Sequence, residues 1–436
     1  MIKSYDSEKM AAKALQCLAV FSLLFIIAAC DITQRTVTVT SWPDCDDYKE
    51  DCERAKQNGS NIVYAKASSK EHDNLYYVFS TIGLPTIIVA HTKEMDTDLT
   101  FNWTKLMEGN GSIVDAINFK SPINEVYLFG VAFTRLLEYD DKDDTADLEE
   151  CEKKLDAASW NIRDFSLFTW DPAVVEKENT FVFNTTSDVN LKTNETRNGS
   201  ISFAFSVKGQ NGRASDLPRL LFNSNETLFD FVIANYTPSF NNSRFALEVA
   251  VISKSKNEMD VDLTRSIDDE YAPGVFQITD WLTNPQARET SGFFQWKPVA
   301  YISKSRGRNT ATKVNHYKLQ DLTHREHEAE QLNSSVIWAF NSSLWNDKSV
   351  IIRIANISFG LPKDGFYVKN NYTAWSAAMG YGKPPEDSIS TMVIIIISAG
   401  LGIPVIIIIF GSIFTVVRRL RQRATGYIAV RSDPIN

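Results

Sequence analysis

Cysteine and histidine are scarce, five of each in 436 residues. That leaves little material for a zinc cluster or for the dense disulfide framework of a small secreted module. The chain has no G-x-S-x-G elbow, no P-loop and no dinucleotide-binding glycine fingerprint, so three large enzyme classes find no foothold. No internal repeat is visible, which argues against solenoids and propellers. Helical periodicity is sparse as well; its best candidates, 145–157 and 321–332, are both highly charged. Basic charge is also short, with 45 Lys and Arg against 54 Asp and Glu. Five of those Arg, with one Asp, sit in residues 418–436, and three Lys with two acids in residues 1–30. The 387 residues between them therefore carry 37 basic and 51 acidic groups, a net −14. An acidic body repels phosphate backbones, so no nucleic-acid partner is expected.

What is present begins with the two ends. Residues 1–30 read as a signal peptide: a weakly basic start, a dozen apolar residues from Leu18 to Ala29 broken only by Ser22, then Ala28, Ala29 and Cys30. The run is too short to span a bilayer, which takes roughly 20 residues. Ile27-Ala28-Ala29-Cys30 also fits a bacterial lipoprotein box, against which the far end of the chain argues. From Ser388 to Val417 no residue is charged, and Met392–Val417 as a helix would reach about 39 Å. Arg418, Arg419, Arg421 and Arg423 follow at once, and basic flanks stay in the cytosol. The expected organisation is a type I membrane protein: a luminal region 31–390, a transmembrane helix 391–417 and a cytosolic tail 418–436.

Glycosylation sequons check that orientation. They occur at Asn58, Asn102, Asn110, Asn184, Asn194, Asn198, Asn225, Asn235, Asn241, Asn333, Asn341, Asn356 and Asn371. With 30 Asn, and 69 Ser and Thr, chance would supply about five rather than thirteen. All thirteen fall between the signal peptide and the span, on the side the glycosylating machinery reaches. The tail then carries Gly426-Tyr427-Ile428-Ala429-Val430, a Tyr-x-x-apolar signal of the kind clathrin adaptors bind as an added extended strand. Its Gly before the Tyr and its nearness to the membrane point to lysosomal sorting.

The luminal region reads as mainly β, an antiparallel sandwich in two subdomains. Short β-branched and aromatic runs recur at 35–40, 74–80, 85–91, 127–139, 200–207, 228–235, 244–252, 335–340 and 350–359, separated by Gly, Pro, Asn and Asp. Residues 184–200, with three sequons and little apolar content, are expected as an exposed loop or the joint between subdomains. Exposed sandwich edges make a homodimer a candidate state.

Catalytic and metal candidates are thin. His324 and His327 form an H-x-x-H pair without a third ligand, and a solvated helix face is the better reading. Asp141, Asp143 and Glu152 sit at positions 1, 3 and 12 of an EF-hand loop, but Ala146 replaces the turn glycine, which favours a solvated acidic loop. Asp268, Asp269 and Glu270 could supply a glycosidase carboxylate, though adjacent acids in a turn are usually structural. No cofactor is implied. Of the luminal cysteines Cys45, Cys52 and Cys151, the first two close a small acidic loop and are the easiest pair, yet all three pairings stay open by spacing.

At SIDDEYAPGVFQ (266–277) and WKPVAYISK (296–304) the chain resembles the glycosylated lysosomal membrane protein family, as an invertebrate member. The likeness continues in 75–90, FNWTKL (101–106), FTRLLEYD (133–140) and YTAWSAAMGYGKPP (372–385). Vertebrate relatives carry luminal cysteines in the C-terminal half; this chain has none after Cys151, so their disulfides do not carry over. The resemblance implies a heavily glycosylated, mainly-β, non-enzymatic protein. It implies an accessory subunit for a lysosomal major-facilitator transporter of dipeptides, shielding that partner from luminal proteases. Ser398 and Gly402, small residues four apart in the span, are the helix-contact candidates, with Pro404 and Gly411 as further notches. A membrane-anchored lysosomal hydrolase and a cell-surface receptor are the competing expectations.

Overall fold

The computed structural model describes residues 34–70, 72–108, 113–123, 125–176, 179–190, 195–254, 259–265, 277–322, 332, 335–340, 350–386 and 391–428. Two compact units emerge, a β-rich body ending at Glu386 and a C-terminal helix.

The body is built from antiparallel strands in two layers. The first layer runs β1 (Arg35–Ser41), β2 (Ile62–Ser69), β3 (Asn74–Ser80), β4 (Thr86–Thr92), β7 (Tyr127–Asp140), β15 (Ser243–Lys254) and β22 (Val350–Phe359). A small hairpin, β5 (Leu99–Phe101) with β6 (Ile117–Phe119), stands apart from it, and β8 (Trp160–Asp164) lies along the second half of β7. The second layer runs β9 (Val174–Val175), β10 (Thr180–Asn190), β11 (Glu195–Val207), β14 (Glu226–Ala234), β23 (Tyr372–Tyr381), β18 (Gly292–Trp296), β17 (Gln277–Leu282) and β16 (Asp260–Arg265). Beside it lies the hairpin β12 (Gly212–Arg213) and β13 (Leu221–Phe222), and β19 (Val299–Tyr301) continues along β23. The layers meet through β20 (Ala311–His316): its first half pairs with β19 and its second half with β22, next to β21 (Gln320–Asp321). The sandwich is thereby closed along one side.

Alternation explains why these segments are strands. In β14 every second residue is buried, and Phe229, Phe231 and Ile233 point inward with Phe181, Phe183, Phe203 and Phe205 of β10 and β11. They meet the first layer edge-on and offset: Phe79 lies 4.6 Å from Phe181 and Phe133 lies 4.9 Å from both Phe203 and Phe229. Trp281, Trp296, Trp375 and Phe294 form a second aromatic group with ring centroids 5.1–5.8 Å apart.

Three segments differ from the sequence expectation. Residues 184–190 and 195–200, read as a loop or joint, run in β10 and β11, paired across a bulge near Thr185 and Ser187. Residues 335–340, read as a strand, form consecutive turns instead, with Ala339 N donating to Val336 O and Phe340 N to Ile337 O. They plug the outside of the first layer over Gly130, and Ile337 Cδ1 lies 3.2 Å from where a Cβ would stand. A helix appears at Leu148–Lys154 inside the first helical candidate, capped by Asp147, which accepts from the Glu149 and Glu150 amides. At the second candidate's first residue Asp321 pairs with Arg353, as the end of β21, and residues 323–331 lie outside the described residues.

Candidate functional surface

Sequons gather at one end of the sandwich. Thr237 N donates to Asn198 O and Asn235 N to Asn371 O, both at 2.8 Å, so three sequons are joined where β11 begins, β14 ends and β23 begins. Asn235 and Asn371 have φ of 52° and 49°, a left-handed turn conformation asparagine tolerates, and both are exposed. Asn198 and Asn241, the latter in the turn before β15, are exposed too. Elsewhere Asn58 is exposed at the end of the Lys49–Gln57 helix, and Asn102, Asn184, Asn225 and Asn356 are half-buried. Asn102 and Asn225 engage only Oδ1 in bonds to Lys105 N and Arg35 Nε, leaving Nδ2, the atom that carries a glycan, uncommitted by them. Asn110, Asn194, Asn333 and Asn341 lie outside the described residues.

The open cysteine question resolves as Cys45–Cys52, with Cα atoms 5.7 Å apart across the start of the Lys49–Gln57 helix. Cys151 is a free thiol, buried on the Leu148–Lys154 helix. Burial, with the Asp141 carboxylate beside it, pushes that thiol up to about 11. The calcium-like trio does not converge. Asp141 uses its oxygens on Arg244 Nε (2.8 Å) and on the Ala146 and Thr145 amides (2.8 and 3.0 Å). Asp143 pairs instead with Lys154, and Glu152 is exposed on the helix. Arg244 is the true centre here, bound also to Asp144 and Asp364 at 2.6 and 2.9 Å. His324, His327 and Asp268–Glu270 lie outside the described residues.

A second polar cluster ties the first strand to the last. Buried Arg35 donates to Asp73 Oδ2 (2.9 Å) and Asn225 Oδ1 (2.8 Å), and His91 Nε2 meets Asp73 Oδ2 at 2.9 Å. The His91 ring stacks on Tyr381, the last residue of β23, at 4.0 Å. Burial alone would raise the Asp73 carboxyl, but hydrogen bonds from His91 and Arg35 hold it well below the usual range. Two other carboxyls go the opposite way. Asp280 in β17 and Glu226 at the start of β14 are fully buried, with no close hydrogen bond to either carboxyl among the described residues. Burial pushes Asp280 up to about 6, with some relief from Gln295, and raises Glu226 well above its ordinary value. No local spacing announced any of these groups, because their partners are supplied by folding.

The C-terminal helix runs Thr391–Ile428 and contains an apolar stretch, Ile396–Gln422, long enough to cross a membrane. Ser398 is exposed on it, and a Cβ at Gly400, Gly402 or Gly411 would meet nothing within 4 Å, so a neighbouring helix could approach closely there. Gly426 and Tyr427 lie on its last turn, so the signal must leave the helix before it can pair as a strand; Val430 lies outside the described residues.

Comparison with known proteins agrees with the resemblance. The family model described as "Glycosylated lysosomal membrane protein" matches residues 61–422. Glycosylated lysosomal membrane protein A of Xenopus laevis is 33% identical over 379 residues, 86% of this chain and 89% of the relative. The Danio rerio protein of that name is 32% identical over 87% of this chain and 88% of its own, and the Homo sapiens protein 30% over 81% and 83%. The chain therefore belongs to the glycosylated lysosomal membrane protein family, a lysosomal membrane glycoprotein with a β-sandwich body on the luminal side of one C-terminal helix.

Proposed function

We propose that this protein is a non-enzymatic accessory subunit of a multi-spanning lysosomal transporter of the major facilitator superfamily, a carrier of dipeptides. Its glycan-coated body covers the partner's luminal loops against proteases, and its single helix adds contact within the bilayer. The observation that carries the reading is the clustering of exposed Asn198, Asn235, Asn241 and Asn371 at one end of a closed, densely hydrogen-bonded sandwich. Carbohydrate concentrated there makes a sterically closed surface, which suits shielding better than turnover. The unfilled notches at Gly400, Gly402 and Gly411 fit a helix neighbour. The tail would bind a clathrin adaptor through Tyr427 and Val430.

The test is a native pull-down of the tagged full-length protein from gently solubilised lysosomal membranes. A multi-spanning transporter recovered in near-equal amount, and depleted from lysosomes when this protein is removed, is the expected result. Recovery of the protein alone would overturn the reading. For the tail, Tyr427→Ala is expected to move the protein to the plasma membrane; unchanged location would exclude the sorting role.

A further inference from the structure

Among the described residues, nothing but the loop between β12 and β13 covers one face of the second layer. Because Phe181, Phe183, Phe203, Phe205 and Phe229 turn into the core, Val182, Asn184, Ser202, Ala204, Leu228 and Val232 turn the other way, and each is only partly buried. Over part of this face the loop between β12 and β13 encloses a cleft of about 310 Å³. That volume lies at the small end of the range of roughly 300–1,000 Å³ for ligand pockets.

The cleft has two characters. Pro218, Leu220 and Leu228 make an apolar wall, and Ser206, Asp230 and Arg306 a polar one. Arg306 Nη1 donates to Ser376 Oγ (2.8 Å) and to Leu217 O (3.1 Å), its Nη2 pairs with Asp230, and Ser376 Oγ donates to Asp230 Oδ1 at 2.6 Å. The Arg306 guanidinium thus fastens the loop to the strands beneath it and fixes the cleft's shape. A rigid apolar wall facing hydroxyl, carboxylate and guanidinium groups matches a sugar ring, which has a C–H face and a rim of groups that both donate and accept.

A glycosylation sequon stands nearby, Asn184-Thr185-Thr186. Asn184 stands on this same face of β10, two residues from Val182 and four, or about 13 Å, from Thr180 on the rim of the cleft. Its amide is held in place: Nδ2 donates to Asp171 Oδ2 (3.1 Å) and Oδ1 accepts from Ser200 Oγ (2.6 Å). Glycosylation replaces one of two Nδ2 hydrogens, so one N–H stays for Asp171. We infer that the glycan on Asn184 lies along the open face of the second layer and seats one of its sugars in the cleft beneath the β12–β13 loop. Carbohydrate is then the cover of this sheet, independent of any partner protein.

The experiment is hydroxyl-radical footprinting of the full-length glycoprotein in detergent, read by mass spectrometry at Leu228, which the protein alone leaves partly exposed. Thr186→Ala removes this sequon and keeps Asn184; Asn241→Gln removes a glycan from the far cluster. A severalfold rise at Leu228 in Thr186→Ala, with none in Asn241→Gln, is the expected result. Trimming folded wild-type protein with an endoglycosidase to the first N-acetylglucosamine should give the same rise without passing through folding. An unmodified Asn184 in the wild-type peptide map, or an unchanged footprint after trimming, overturns the inference. Adding chitobiose distinguishes the sugar's source. Protection restored only in the trimmed protein supports a cleft filled by its own glycan, whereas further protection of untrimmed protein shows a cleft open to foreign sugars and overturns it.

Discussion

Asp280 should make the luminal body more stable in acid. It sits in the middle of β17 with no exposed surface, directly across from Gln295, whose amide donates to Pro385 O at 3.1 Å instead. Ionising it strands a charge in the protein, and burial accordingly moves its pKa from an ordinary 3.8 to about 6. A carboxyl whose folded pKa is raised contributes stability that is present in full below the unfolded value and lost as pH rises through the folded one. The whole displacement is worth about 3 kcal/mol, of which about 1 kcal/mol is crossed between pH 5 and pH 7. Asp280→Asn carries no titrating proton, so it should be more stable than wild type at pH 7 by up to about 3 kcal/mol, with that advantage shrinking by about 1 kcal/mol at pH 5. Urea unfolding of the full-length protein in detergent reads this well, because all nine tryptophans precede the membrane helix and Trp281 adjoins the substituted residue. Comparing the two proteins at both pH values cancels every other titrating group. An advantage that stays constant, or grows on acidification, would refute the reasoning.

Three further outcomes are expected. Arg244→Ala leaves Asp141 buried against no cation and should cost about 3–5 kcal/mol, seen in the same urea unfolding and in poor exit from the endoplasmic reticulum. Gly59→Ala preserves the Asn58 sequon but places a Cβ 2.0 Å from Trp170 O at a φ of +67°; a loss of at least about 3 kcal/mol with Asn58 still glycosylated would separate backbone fit from the glycan. Cys45→Ser with Cys52→Ser opens a short loop and should cost about 2 kcal/mol, while peptide mapping of maleimide-treated wild type should find Cys151 labelled only after unfolding.

How much of this was legible depended on where each group's partners lie. Strands β3 and β22 begin and end where the sequence pattern does, at 74–80 and 350–359, because runs so rich in β-branched and aromatic residues have few other uses. The membrane helix and the sequons need no tertiary information at all. The plug at 335–340 misled because Val336, Ile337, Ala339 and Phe340 are all fully buried, and a segment surrounded by protein shows no period to read. The Lys49–Gln57 helix was invisible for the reverse reason: only Cys52 and Ala55 face the core, too few for an apolar stripe. Arg244 and its three carboxylates are 100–120 residues apart in sequence, and the cleft of the second layer joins four strands and two loops. Such sites come from strand order, which local pattern does not encode.

Taken together, the buried carboxyls divide into two sets that bracket one range of pH. Asp73 and Asp141 are ionised and paired. Burial works against both, but His91 and Arg35 outweigh it for Asp73, and the Ala146 and Thr145 amides with Arg244 do so for Asp141. Carboxyls held low contribute stability above their unfolded value, near 3.8, and lose it as pH falls through the still lower folded value. For Asp280 and Glu226 burial outweighs the relief from Gln295 and from the Asn223 backbone, and their contribution is lost as pH rises, for Asp280 through about 6. Between roughly 4 and 6, Asp73, Asp141 and Asp280 are each in the state their surroundings favour. At neutral pH Asp280 is forced to ionise inside the sandwich; far below 4 the ion pairs dissolve. An acid-adapted interior of this kind suits a body kept in the lysosomal lumen. It also places the stabilising chemistry inside the fold, where a glycan coat cannot supply it.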